Sequence, residues 1–178
     1  MSAIWLRRLG LVFAAFVLQT ALLKAALPGS QEAPARPSLA GQLLVAAPSM
    51  GDPRFERTVI LVVQHDLTGA LGIVINKPIG ERSLASLFEA LGQKGGDLAI
   101  KVRIFSGGPV RPEVGLVLHS ADYHRPETVT VNDRLSLTSS IEILRDVANK
   151  KGPVKILVAF GYAGWGPNQL EREIEEDA

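Results

Sequence analysis

The residues of this 178-residue chain best suited to chemistry are three histidines, a serine set before paired glycines, and several aspartates. His65 and His119, joined by Asp66 or Asp122, would suit zinc or iron, which take imidazole and carboxylate ligands. The spacing argues against such a site. Neither His-x-x-x-His nor His-x-His occurs, and His119 and His124 stand five residues apart across a loop-like stretch. No metal and no other cofactor is expected. The absence of cysteine removes disulfides, thiolate nucleophiles and Cys-based metal centres. A hydrolase would draw on Ser106 ahead of Gly107-Gly108, on His119 as base, and on Asp52 or Asp122 to orient it. Ser106 follows Ile104-Phe105, so the Gly-x-Ser-x-Gly elbow is missing, and Ser-Gly-Gly can simply end a strand. A hydrolase or metal-dependent enzyme using His65, His119 and Ser106 is the alternative reading, and no catalytic residue is assigned.

Glycine offers a different chemistry. Gly107, Gly108, Gly161 and Gly164 could turn backbone amides toward an anion, with Tyr162, Trp165 and Asn168 beside them. These seven residues are the ligand-binding candidates. Neither Gly-x-x-x-x-Gly-Lys-Ser/Thr nor a complete Gly-x-Gly-x-x-Gly is present, because residue 169 is Gln. The competing reading gives the glycines to close packing and positive φ, with Trp165 covering the core edge.

The elements that would position these residues follow from apolar patterning. Residues 41–47, 58–64, 70–76, 102–105, 115–119, 128–131 and 154–160 read as strands. The run at 58–64 is β-branched and unbroken, as for a strand buried on both faces. Leu84, Leu87, Phe88 and Leu91 have helical spacing, with Gly92 as a stop. Ser139 with Glu142, and Asn168 with Glu171, have the spacing of capping boxes that open two further helices. Residues 149–153 end the middle helix with cations, glycine and proline. Roughly seven strands and three helices with mainly hairpin spacings give an α+β fold whose sheet is mostly antiparallel and strongly bent. Gly161–Glu171 reads as a packed corner between the last strand and the last helix.

Composition is that of an ordinary globular domain, 47% apolar and 21% charged. Residues 1–38 carry a net charge of +3, whereas residues 39–178 hold 15 basic and 17 acidic groups. A body at −2 lacks the basic footprint of a duplex binder, so no direct nucleic-acid binding is expected. Arg7-Arg8 precede a ten-residue apolar run from Leu9 to Leu18, the layout of a secretory signal. Residues 1–38 read as an apolar targeting or anchor-like segment plus a flexible linker, and residues 39–178 as the domain. Membrane contact through residues 9–23 belongs to that reading.

Four signatures occur in fixed order: Gly41-Gln42-Leu43-Leu44-Val45-Ala46-Ala47-Pro48, Gly69 to Pro78, Gly107-Gly108-Pro109-Val110, and Gly161 to Glu171. With Asp52, Phe55 and Thr58-Val59, they resemble the AlgH/YqgE family of bacterial proteins over residues 39–175. The resemblance implies a compact α+β domain whose bent sheet forms a pseudo-barrel. It implies no agreed activity and no catalytic residues. The family's label as transcriptional regulators comes from alginate regulation rather than from a DNA-binding motif. A non-catalytic regulatory or interaction domain is therefore expected, acting on a protein partner or a small ligand. Family members look cytosolic and start near the first strand. Residues 1–38 are then an export signal, an anchor, or the product of an upstream start codon. Members also run on past the last helix with a tryptophan-led segment, so a partly uncovered sheet is expected in a chain ending at Ala178.

Overall fold

The computed structural model describes residues 37–90, 92–94 and 99–176. The signal-like stretch and its membrane contact, residues 1–36, lie outside the described residues. Among those described, no helix is long and apolar enough to cross a membrane.

The β-branched run forms β2 (Val59–Asp66), with Ile60, Leu61, Val62 and Val63 all buried. It pairs on one side with the short β1 (Leu43–Val45) and on the other with β3 (Gly69–Val74), both antiparallel. Asp66 faces Gly69, so Leu67 and Thr68 alone make the hairpin turn. β4 (Pro78–Ser83) and β5 (Lys101–Ser106) form a second antiparallel pair, joined through α1 (Leu84–Ala90). Then come β6 (Val110–Ser120), β7 (Thr128–Thr130), β8 (Leu135–Thr138), α2 (Glu142–Ala148), β9 (Ile156–Trp165) and α3 (Gln169–Glu175). The sheet runs β1-β2-β3-β9-β6-β8-β7, with β5 and β4 branching from β9. It is a strongly curled, mainly antiparallel half-barrel, and three helices complete an α+β fold.

β9 is the hub. β6 follows one edge of it from Ile156 to Tyr162. Along the opposite edge, β5 runs parallel to Val158–Phe160, and β3 then takes over, antiparallel to Ala163–Trp165. Gly161 sits at the changeover with φ +73°, a conformation costly for any residue with a Cβ. The corner expected at Gly161–Glu171 is thus corrected in part. Residues through Trp165 continue the strand, because a glycine kink inside a strand looks like a turn in sequence.

The alternation of side chains feeds two cores. Val102, Ile104, Val117 and Val158 face outward against Leu84, Leu87 and Phe88 of α1 and Ile143 and Leu144 of α2. Leu116, Leu118, Ala159, Leu61 and Ile73 fill the concave side. The rim of the curl closes where Gly41, at φ +84°, rests on Asn132. A Cβ at Gly41 would stand 2.6 Å from the Asn132 Nδ2 atom.

Three local expectations need correction. Among the described residues there are nine strands, β4 and β8 being additional. β4 begins at a proline and is exposed for almost its whole length, as an edge strand allows, so no apolar pattern announced it. β8 is four residues whose buried members include Ser136 and Thr138, which composition reads as loop. Neither expected capping box forms. α2 starts from Ile141 in helical geometry, and Asn168 adopts left-handed geometry at φ 58°; neither makes a side-chain cap hydrogen bond.

Candidate functional site

The histidines and Ser106 occupy separate hydrogen-bond systems. Leu39 N–H donates to His65 Nδ1 at 3.0 Å, so the ring proton sits on Nε2, which donates to Glu171 Oε1 at 3.2 Å. The His65 side chain is 7% exposed. It fastens the entrance of the domain to α3, and this is what turns Glu171 away from its expected cap. His119, 2% exposed, donates from Nδ1 to the Ser120 carbonyl at 2.8 Å. Its Nε2 therefore accepts from the Thr138 hydroxyl at 2.9 Å, Thr138 accepts from Thr128 at 2.7 Å, and Thr128 accepts from Arg125 N–H at 3.0 Å. Both nitrogens of each ring are engaged. Ser106 ends β5, its amide bound to the Lys77 carbonyl, and no hydrogen bond links it to a histidine among the described residues. His124 lies on an exposed loop.

The carboxylates are likewise engaged elsewhere. Asp52 is paired with Arg54 at 2.6 Å, and its pKa is lowered by the hydrogen bonds from that residue. Asp66 accepts the Thr68 hydroxyl, the Gln64 amide and the Thr68 N–H, which hold its carboxyl at about 2. Asp122 is lowered by the Ser120 hydroxyl and accepts Val154 N–H at 3.0 Å. No three His, Cys, Asp or Glu side chains among the described residues cluster as a metal site would require. A nucleophile, a base and a stabiliser within reach of one another are what catalysis demands, and these residues are not so arranged.

The glycine signatures do meet. Gly107 N–H donates to the Phe160 carbonyl and the Gly107 carbonyl accepts from Val74 N–H, both at 2.8 Å. A Cβ on Gly108 would lie 2.2 Å from the Tyr162 carbonyl carbon, and one on Gly161 would lie 2.3 Å from the Gly108 carbonyl oxygen. The two segments lie backbone against backbone in the crotch where β5 and β3 part, and close packing accounts for glycine there. Tyr162 turns to the concave core, whereas Trp165, on the other face of β9, packs beside Ile60, Val74 and Ala163. Trp165 Nε1–H donates to Glu173 Oε2 at 2.8 Å rather than to a loop carbonyl. Gly164 is exposed on β9 next to Tyr162.

The open feature is β1. Val62 N–H donates to the Gln42 carbonyl and Ala46 N–H to the Thr58 carbonyl. By the alternation of an antiparallel ladder, Leu43 and Val45 direct their amides and carbonyls off the sheet edge. Their side chains are 56% and 70% exposed. Beside β1 runs a groove of about 520 Å³ toward α3, lined by Leu44, Met50, Phe55, Trp165, Leu170 and Ile174 among others. Residues 169–176 beside it hold four glutamates against one arginine.

Sequence reasoning missed this edge because Leu43 and Val45 read as members of a buried strand; only the shortness of the run and the nearby Pro48 hinted at an edge. It also missed a polar staple in which Tyr123 and Arg125 both donate to Asp146 Oδ2, fixing the 121–127 loop to α2. Burial, and the Asp146 carboxylate it donates to, push the Tyr123 phenol above its ordinary pKa.

The comparisons with known proteins agree with this architecture. The DUF179, AlgH-like family model matches residues 43–178. A UPF0301 protein of Rhodospirillum rubrum is 44% identical over 137 residues, covering 77% of this chain and 71% of the relative. A UPF0301 protein of Rhizorhabdus wittichii is 46% identical over 143 residues, covering 80% and 75%. The solution structure of the AlgH protein from Pseudomonas aeruginosa superposes with a TM-score of 0.68 at 36% identity, covering 84% of this chain and 78% of that one. A Corynebacterium diphtheriae protein, at 24% identity and a TM-score of 0.55, shares the fold. With a family model spanning most of its length and relatives above two-fifths identity, the chain belongs to the AlgH-like family.

Proposed function

We propose that this domain is a non-catalytic interaction module that takes an extended segment of a partner protein along β1. The observation that carries the reading is the β1 edge, unpaired among the described residues, with Leu43 and Val45 exposed beside an apolar groove. A strand added there would hydrogen-bond to the outward groups of Leu43 and Val45 and place alternate side chains on the two faces of β1. The glutamate excess of residues 169–176 favours a partner segment with apolar residues in alternation and lysine or arginine at its flank. β1 is three residues long, so the main-chain contribution is small and the groove must supply most of the affinity. Any influence on transcription would then be indirect, through the partner. The body's net charge of −2 and helices of seven residues each give a reading helix little support.

The test is a fluorescence-anisotropy titration with a nonapeptide alternating valine and threonine between lysine flanks. Val45→Lys removes the apolar contact and opposes the flanking lysines, and the expected loss is about 30-fold in affinity, from about 2 kcal/mol of lost burial. Equal binding by Val45→Lys, or by a peptide with glutamate flanks, would contradict the proposal. Self-association that Val45→Lys abolishes, with no peptide binding, would assign the edge to a second copy of this chain instead.

A further inference from the structure

On the other face of β1 lies a second concavity, the open mouth of the curled sheet, with a volume of about 770 Å³. Its floor is apolar, formed by Leu61, Ile75, Leu118, Leu135 and Leu157. Leu43 and Val154 stand at its lip, and Val154 is 81% exposed. We propose that this mouth binds a single-chain amphiphile with an anionic head, a monoacyl carboxylate being the simplest.

The polar groups on its wall have little left to offer a polar ligand. Both His119 nitrogens are used by Ser120 and Thr138. The Ser120 hydroxyl accepts Lys155 N–H at 3.0 Å, and the Asn132 side-chain carbonyl accepts the amides of Arg134 and Leu135, each at 2.9 Å. The Asp122 carboxylate is drawn to Ser120 and to Val154 N–H. A sugar or a nucleotide base would find most of those groups occupied, the Asn132 Nδ2 amide excepted, and its own polar surface set against leucine. Two cations remain under-neutralised. Arg134 has only a 4.0 Å contact with its neighbour Asp133, both side chains at least 86% exposed, and Lys155 makes no ion pair among the described residues. An apolar trough with two available cations at its rim is complementary to a hydrocarbon chain ending in a negative group. The mouth is closed on one side by the contact of Gly41 with Asn132, which bounds the chain length it can take. The inference does not rest on strand addition at β1, and its test reads different residues.

The test titrates the full chain calorimetrically with octanoate, decanoate and dodecanoate, each below its micellar concentration, and with dodecyltrimethylammonium. Saturable one-to-one binding is expected, tightening about fourfold for each added methylene until the trough is full. Carboxylate should be preferred to ammonium, and the double variant Arg134→Ala/Lys155→Ala should abolish that preference. Val154→Asp, at an exposed lip position where folding is not at stake, should weaken every chain length. Non-saturable binding, or binding indifferent both to head-group charge and to these variants, would overturn the proposal. Binding to anionic vesicles without binding to monomeric carboxylates would overturn it too, in favour of a membrane surface.

Discussion

His119 is the clearest case of a chemically capable residue given to structure. Its Nε2 accepts from Thr138, whose own oxygen accepts from Thr128, so one hydroxyl satisfies a buried and a half-buried partner. Thr138→Val keeps the shape and strands both, and should destabilise the fold by about 2 kcal/mol in denaturant titration. Thr138→Ser, which keeps the hydroxyl, should cost clearly less; a loss equal to that of Thr138→Val would assign the effect to packing rather than to the hydrogen bonds. Asp66 makes a second test at this scale. Its folded pKa of about 2 lies below the ordinary 3.8, so its contribution is complete above that ordinary value and disappears as pH falls through 2. The protection factor of the Thr68 amide, its exchange rate taken relative to the intrinsic rate at each pH, should fall over that window, and Asp66→Asn should remove that pH dependence. The sequence names His65, His119 and Asp66 as capable groups. It does not show that Glu171, 106 residues from His65, is the ring's partner, because that contact is made by the curl of the sheet.

At the scale of elements, α2 ends in a motif that a glycine would suit better. Lys150 N–H donates to the Val147 carbonyl and Lys151 N–H to the Asp146 carbonyl, a Schellman ending with Lys150 in left-handed geometry at φ 58°. Lys150→Gly should raise stability by about 1 kcal/mol, seen as a higher melting temperature. A lower one would mean that the lysine side chain contributes more than its backbone strain costs. The expectation that residues 149–153 close this helix holds, though Lys150 rather than Gly152 takes the turn. The β2–β3 hairpin was legible because only residues 65–69 separate the two apolar runs 58–64 and 70–76, although the strands extend further and leave Leu67 and Thr68 as the turn. β4 was not, since an exposed edge strand needs no apolar periodicity, and β8 was not, since two of its buried residues are Ser136 and Thr138, the latter accommodated by hydrogen bonds to His119 and Thr128.

For the molecule as a whole, fold class, the curled sheet and family were legible, because the signatures 69–78, 107–110 and 161–171 lie at strand junctions around β9 and 41–48 carries the edge strand β1. Gly107-Gly108 and Gly161 stand out in sequence for the reason they matter in space: the branch of the sheet needs backbone within contact distance of backbone. The open edge was illegible for the opposite reason. Leu43-Leu44-Val45 has the composition of a buried strand, and only the sheet order reveals that one side of it is unpaired among the described residues. The central claim is that this edge is available to a partner. Amide hydrogen exchange and chemical-shift mapping on isotope-labelled protein test it most directly. The account predicts fast exchange at Leu43 and Val45 beside a slow Leu44 in the free protein. On adding the lysine-flanked peptide, Leu43 and Val45 should shift and slow together. Protection of both amides without peptide, or peptide-induced shifts confined to other strands, would contradict it.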